Sequence, residues 1–168
     1  MVWYKKHILL LGVVLSATTF QCVKYSFKGA LPSYLKTIAI PLFEDKTYWA
    51  GLREEFTERV IDAFIEDNTL QVVENEAVAD LVLYGTIVSL QERKSAITAT
   101  EVVQETQIWL TVQVKCINKH TEKPLWQETL QQFGTIEGAG TLEEKNSVIQ
   151  EITDIIVRDI VDKTISAW

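Results

Sequence analysis

Apolar and polar residues alternate along four segments of the chain, which predicts β-strands. The pattern is clearest after Ile108, where the apolar positions are Leu110, Val112, Val114 and Cys116. Because successive side chains of a strand point to opposite faces, Cys116 is predicted to be a buried core thiol. The other predicted strands are 36–43, a segment interrupted at 75–79 that comprises 71–73 and 80–90, and 125–133.

Two further segments carry apolar residues at helical spacing. The first helix is predicted over 51–67, with Asn68 as its C-terminal stop. Its apolar stripe is Leu52, Phe56, Val60, Ile61, Phe64 and Ile65. The second helix is predicted to begin at Thr141, which forms an S/T-x-x-E capping box with Glu144. Its buried stripe is Ile149, Ile152, Ile156 and Ile160, supported by Val148 and Ile155.

The order strand, helix, three strands, helix predicts an α+β fold. We expect two helices packed on one face of a four-stranded, mostly antiparallel sheet. Residues 134–140 are predicted to be a loop before the second helix. The opposite sheet face is expected to carry Tyr84, Trp109 and Trp126 among several Thr and Gln residues. Such a face is either left to solvent or used to dock a partner, and the pattern leaves both open.

The beginning of the chain is typical of an export signal that ends at a lipid-anchor cysteine. Lys5 and Lys6 precede an uncharged apolar stretch, 8–20, and Cys22 follows it. The stretch is shorter than the roughly 20 residues needed to cross a bilayer as a helix, so a signal peptide over 1–21 is favoured. In the bacterial lipoprotein pathway such a cysteine is acylated, which makes Cys22 the predicted anchor. The alternative is an exported protein with an ordinary cysteine near its cleavage site.

Charge and length then define the mature protein. Removing residues 1–21 removes two lysines and changes the formal net charge from −7 to −9. So acidic a chain disfavours a general polyanion-binding surface, and no nucleic-acid partner is predicted. We expect residues 22–33 to be anchor and tether, and residues 34–168 to form one domain. With Cys22 acylated, Cys116 has no disulfide partner.

Few residues suit catalysis. His120 is the histidine left after the signal, and it lies in a predicted turn without a nucleophile or metal ligand nearby in sequence. The glycine-rich segment 134–140 precedes a helix as a phosphate-binding loop does, but acidic residues surround that helix terminus and repel phosphate. The carboxylates of the first helix, Glu54, Glu55 and Glu58, are predicted to form a solvated face. We therefore predict no enzyme, metal site or cofactor.

Several short motifs follow one another in an order that is similar to a known family. They are a lipoprotein-type signal, then Tyr25–Gly29, Leu31–Pro32, Lys36–Phe43, Gly51–Phe56, a strand centred on Gly85, Asn118–Trp126, and a closing amphipathic helix. Together they resemble LptE, the lipopolysaccharide-assembly lipoprotein family, in the form found in Bacteroidetes and Chlorobi-like bacteria. The order and spacing of the motifs carry the resemblance, which covers essentially the whole chain.

The resemblance implies two helices on a four-stranded sheet and a role without catalysis. It implies an outer-membrane lipoprotein that partners the LptD β-barrel as plug and assembly factor, in the transport and insertion of lipopolysaccharide into the outer leaflet. The expected location is the outer membrane, lipid-anchored, facing the periplasm or within the barrel lumen. It also implies direct binding of lipopolysaccharide.

Lipopolysaccharide phosphates would require cations. The local candidates are Arg93 and Lys94 at the tip of the second strand, with Lys119 and Lys123 in the turn that follows the third. The plainer interpretation of each is a solvated turn or edge residue, because lysines at strand ends prevent edge-to-edge aggregation.

The main alternative function is that of an envelope lipoprotein acting as a regulator or secretion component. Activators of peptidoglycan synthases and curli-type secretion subunits open with a strand leading into a helix, as 36–43 does here. The short tether argues against an activator that must cross the periplasm. The chain length leaves little room for the membrane-spanning hairpins of a secretion channel.

Overall fold

The computed structural model describes residues 31–96 and 104–167. The predicted signal peptide, the anchor Cys22 and most of the 22–33 tether lie outside the described residues. The elements are β1 (Thr37–Ala39), β2 (Glu44–Asp45), α1 (Leu52–Asp67), β3 (Gln71–Val72), β4 (Leu81–Ala96), β5 (Gln104–Asn118), β6 (Lys123–Glu137) and α2 (Leu142–Ser166).

Among the described residues the sheet has six strands and is mixed, which corrects the expectation of four mostly antiparallel strands. Its order is β3-β1-β4-β5-β6, and β2 also pairs with β4. The pairs that involve β1 and β2 are parallel, whereas β4, β5 and β6 form an antiparallel meander. Segments 71–73 and 80–90 are therefore not one interrupted strand, because β1 lies between β3 and β4.

The predicted strand 36–43 divides into two short strands. Pro41 has no N–H to donate to a sheet, and β1 ends before it at Ala39. The chain then turns Phe43 into the core, where its amide donates a hydrogen bond to Thr57 Oγ1 at 3.1 Å. Simple alternation along 36–43 would place Leu42 on the same face as Ile38, but Leu42 is 55% exposed.

The first helix confirms most of its predicted stripe. Gly51 and Asn68 cap α1, each in the left-handed conformation. The buried apolar residues are Leu52, Phe56, Val60 and Phe64. The other two residues of the stripe are not buried: Ile61 is half-buried and Ile65 is exposed, and both line a cleft of about 840 Å³ between α1 and β3.

The second helix confirms both its start and its buried stripe. The Thr141 hydroxyl accepts a hydrogen bond from the Glu144 amide at 3.2 Å, and the Glu144 carboxylate accepts one from the Thr141 amide at 2.7 Å. The four predicted isoleucines of the stripe are buried, whereas Ile155 is only half-buried.

The loop before α2 is shorter than expected. β6 continues to Glu137, and a Cβ on Gly134 would meet Val148 Cγ1 at 2.5 Å, so this glycine serves helix packing within a strand.

Both helices pack on one face of the sheet, as predicted. The alternation of β5 is confirmed there, and its buried apolar residues are Ile108, Leu110, Val112, Val114 and Cys116. Burial raises the pKa of the Cys116 thiol to about 12. The thiol is therefore a core group and not a reactive nucleophile.

Candidate partner-binding face

The sheet face turned away from both helices is formed by alternate residues of β4, β5 and β6. We call it the open face. It comprises Tyr84, Thr86, Ser89, Gln91 and Arg93 of β4, Glu105, Gln107, Trp109, Thr111, Gln113 and Lys115 of β5, and Gln127, Thr129, Gln131, Phe133, Thr135 and Glu137 of β6. Most of these side chains are uncharged, and none is classed as buried.

Three side chains form a stack across the open face. The rings of Trp109 and Phe133 lie 4.6 Å apart between centroids and within 19° of parallel. The Arg93 guanidinium lies 4.8 Å from the Trp109 ring centroid, in a cation–π contact. Gln107 accepts a hydrogen bond from Trp109 Nε1 at 3.1 Å. These contacts hold the three side chains in place. Phe133, at the end of the stack, is 47% exposed.

Threonine and glutamine residues pair between β5 and β6 over the rest of this face. Thr111 lies opposite Gln131, Gln113 opposite Thr129, and Gln107 opposite Thr135. Gln131 Nε2 donates a hydrogen bond to Thr111 Oγ1 at 2.8 Å. Hydroxyl and amide groups both donate and accept hydrogen bonds, so these threonine–glutamine pairs can meet polar groups of a partner without burying a charge.

Tyr84 and Trp109 lie on the open face as predicted, whereas the prediction for Trp126 was wrong. Cys116 pairs with Trp126 and Ile117 with Pro124, so Leu125 is an extra residue that shifts the alternation. Trp126 therefore shares the helix side with Cys116, and its Nε1 donates to Thr164 Oγ1 of α2 at 3.2 Å.

Tyr84 is tied to the loop that precedes β4. Its hydroxyl donates a hydrogen bond to Glu76. This bond, partial burial and the nearby negative charge raise the pKa of Tyr84. The phenol therefore stays neutral and acts as a hydrogen-bonding group at this edge of the open face.

The four candidate phosphate-binding cations lie at two ends of the sheet. Arg93 and Lys94 alternate in β4, so that Arg93 is on the open face and Lys94 on the helix side. Lys119 and Lys123 flank the β5–β6 turn. Arg93 lies opposite Gln107, and the eleven residues from there to Asn118 span about 36 Å at roughly 3.3 Å per residue. The four cations thus form no single cluster: Arg93 and Lys94 lie at one end of the sheet on opposite faces, and Lys119 and Lys123 lie at the other end.

His120 has a partner that sequence spacing did not reveal. Its Nε2 lies 2.7 Å from Asp80 Oδ1, and its ring packs edge-on against Tyr34 with centroids 5.4 Å apart. Asp80 Oδ2 also accepts hydrogen bonds from the amides of Lys36 and Thr37 and from the Thr37 hydroxyl, at 2.9 to 3.0 Å. The cluster ties the starts of β1 and β4 to the β5–β6 turn.

The pKa of Asp80 reflects this arrangement. Partial burial opposes ionisation, but the hydrogen bonds from Lys36, His120 and Thr37 outweigh it and lower the pKa to about 2. Within 31–96 and 104–167, His, Cys, Asp and Glu side chains form no group of three or more that could hold a metal ion. Because its hydrogen bonds join β1 and the start of β4 to the β5–β6 turn, the Asp80 cluster stabilises the fold.

A family model described as LptE, Lipopolysaccharide-assembly, matches residues 35–164. No curated protein matches the chain. Neither of the two described helices has an apolar stretch long enough to span a membrane.

Solved structures with the same fold come from several bacteria. A hypothetical protein of Chlamydia trachomatis has a TM-score of 0.59 at 13% identity, covering 79% of this chain and 99% of that one. Uncharacterized lipoprotein B of Nitrosomonas europaea has a TM-score of 0.54 at 13% identity, with coverages of 78% and 83%. A minor lipoprotein of Acinetobacter baumannii has a TM-score of 0.50 at 12% identity, with coverages of 78% and 93%. At these identities the likeness shows the fold alone.

Proposed function

Because the chain belongs to the LptE family of lipopolysaccharide-assembly proteins, we propose that it is an outer-membrane lipoprotein that partners an LptD-type β-barrel. In this role it occupies the barrel as plug and assembly factor while lipopolysaccharide is inserted into the outer leaflet. The protein acts by binding its partners and does not catalyse a reaction. The family match over 35–164 supports the assembly role, and lipoproteins among the structures of the same fold support an envelope location.

The observation that carries the partnership is the open face. This face is large and has few charges, and it carries an exposed aromatic ring at the end of the stack. These properties are more typical of a protein interface than of a surface left to solvent. Interfaces are enriched in Trp, Tyr, Phe and Arg, and these residues dominate binding energies. The Arg93, Trp109 and Phe133 stack supplies three such side chains already held in place.

Membrane attachment is proposed at Cys22. The preceding signal pattern favours acylation, and Cys116, the other cysteine, is buried in the core. Each buried methylene contributes about 0.8 kcal/mol, so several acyl chains hold a protein stably where one does not. The domain would then lie against the periplasmic side of the outer membrane or within the barrel lumen.

The partnership is tested by copurification from the native host with an affinity tag after Trp168. In mild detergent we expect one large β-barrel protein in stoichiometric amount. Phe133→Lys should reduce its recovery about tenfold, because it places a charge on the partner face. Ile65→Lys is the matched control, since it also adds a lysine at an exposed apolar position, but on α1 away from the open face.

Three results would count against the proposal. Recovery of no barrel protein would remove the partnership, and recovery of a peptidoglycan synthase would favour the regulatory alternative. Equal recovery with Phe133→Lys and Ile65→Lys would place the partner on another surface.

We further propose that lipopolysaccharide phosphates contact one of the two cation pairs. The variants to compare are Arg93→Gln with Lys94→Gln, and Lys119→Gln with Lys123→Gln. Because the pairs lie about 36 Å apart along the sheet at roughly 3.3 Å per residue, one double variant should weaken binding of purified lipopolysaccharide about tenfold, the loss expected for a charge-assisted contact. The other double variant serves as its charge-matched control. Equal affinity of both variants and the unchanged protein would reject these contacts.

A further inference from the structure

The long outer side of β6 has no partner strand among the described residues. β6 is the last strand of the sheet and has fifteen residues. Alternate residues of an antiparallel edge strand direct their N–H and C=O groups away from the neighbouring strand. The opposite edge is formed by β3, which is only two residues long. The two edges therefore differ greatly in the amount of free hydrogen-bonding capacity.

β6 lacks the usual protection of a free edge over most of its length. Natural edge strands are guarded by lysines, prolines and bulges. Here Pro124 and the bulge at Leu125 lie at the start of the strand. From Trp126 to Ile136 the one charged residue is Glu128, and Lys163 Nζ of α2 neutralises it at 2.7 Å. Such an edge is a template for another strand.

We propose that β6 pairs in antiparallel orientation with β6 of a second copy of this chain, around a twofold axis at Leu130. In this register Thr129 faces Gln131 of the partner subunit. The twofold axis repeats the contact, so Gln131 faces Thr129 of the partner subunit. The protein already makes this pair between its own strands, where Thr111 faces Gln131. The second copy would extend the threonine–glutamine pattern of the open face.

Other residues agree with this register. Glu128 faces Gln132 of the partner subunit, so like charges do not oppose each other, and Trp126 faces Gly134 of the partner subunit, which leaves room for the indole ring. An axis at Glu128 instead would set two carboxylates face to face, which is unfavourable. The side-chain sequence of β6 is thus self-complementary around Leu130.

The flank of α2 supplies a second, apolar contact. Val148 lies over Gly134 and Thr164 over Trp126, so the middle of α2 lies above Leu130. At about 100° of rotation per residue, Ile155 points away from the side that contacts α1. It is half-buried and outside the core cluster. Two copies of Ile155 would therefore approach each other near the proposed axis.

The proposal concerns the chain alone and is independent of the barrel partnership. Sedimentation of the purified full chain in mild detergent should show a dimer. Thr129→Lys combined with Gln131→Lys should raise its dissociation constant about tenfold or more, because four lysines then face one another. Thr129→Lys combined with Gln131→Glu changes the same two positions but pairs opposite charges, so this dimer should persist.

Amide exchange should show the same interface. In the unchanged chain the β6 amides that point to β5 and those that point to the second copy should both be protected from exchange. In the double-lysine variant only the amides that point to β5 should remain protected. A monomer at every concentration would overturn the proposal. A dimer that both double variants weaken equally would also overturn it. So would a monomer in which all β6 amides are protected, because its own chain would then cover the β6 edge.

Discussion

Replacing Gly85 with alanine is expected to destabilise the fold by about 3 kcal/mol, the upper range for overpacking of a core. A Cβ at this position would lie 1.9 Å from Phe43 Cε2. Phe43 cannot move aside easily, because it is 1% exposed and packs against Phe56 with ring centroids 5.3 Å apart. The loss should appear as a lower midpoint of urea unfolding with an unchanged slope.

A second substitution identifies the cause. Phe43→Leu shortens the side chain that collides with the new methyl group. The variant with both Gly85→Ala and Phe43→Leu should therefore be more stable than the sum of the two single effects predicts. Ser89→Ala, on the open face of the same strand, should change the free energy of unfolding by less than about 0.5 kcal/mol. Strict additivity of the two core changes would show that the collision is not the reason.

Acid is expected to remove about 2 kcal/mol of stability through Asp80. Its pKa is lowered from the ordinary 3.8 to about 2 in the folded protein, and each pKa unit corresponds to about 1.4 kcal/mol. A lowered carboxyl pKa contributes stability that is complete above the unfolded value. The contribution is therefore present above about pH 4 and is lost as the pH falls towards 2.

The test is the free energy of unfolding, measured between pH 6 and pH 2, for the unchanged protein and for Asp80→Asn. The asparagine variant cannot ionise here, so it should be less stable at pH 6 and should lose less stability on acidification. Asp154→Asn is the control, because its carboxylate accepts a hydrogen bond from Arg59 but is half exposed. Identical acid dependence of Asp80→Asn and the unchanged protein would exclude Asp80 as the source.

Features set by neighbouring residues could be predicted from the sequence. The capping box of α2 needs Thr141 and Glu144 three residues apart, and the helix stripes depend on spacing alone. The alternation of β5 placed Cys116 in the core correctly. Each of these signals lies within one element, so a single sequence contains all of it.

Features that join distant segments could not be predicted. The position of β1 between β3 and β4 depends on pairing across more than thirty residues, as in Thr37 with Gln71. The bulge at Leu125 moves Trp126 to the other face without a glycine to mark it. His120 contacts Asp80, which lies forty residues away in the sequence, and no local sequence pattern indicates that contact. The aromatic residues of the open face were predicted in part, but not their stacking with Arg93.

The topology also orders the assembly of the fold. β5 and β6 meet across a short turn, with Asn118 opposite Lys123, whereas Ile38 of β1 pairs with Leu81 of β4 across 43 residues. Bringing such distant segments together costs chain entropy before their contacts can compensate for it. The hairpin of β5 and β6 can therefore form early from local contacts, and we expect the pairing of β1 with β4 beside Asp80 to follow as a later step.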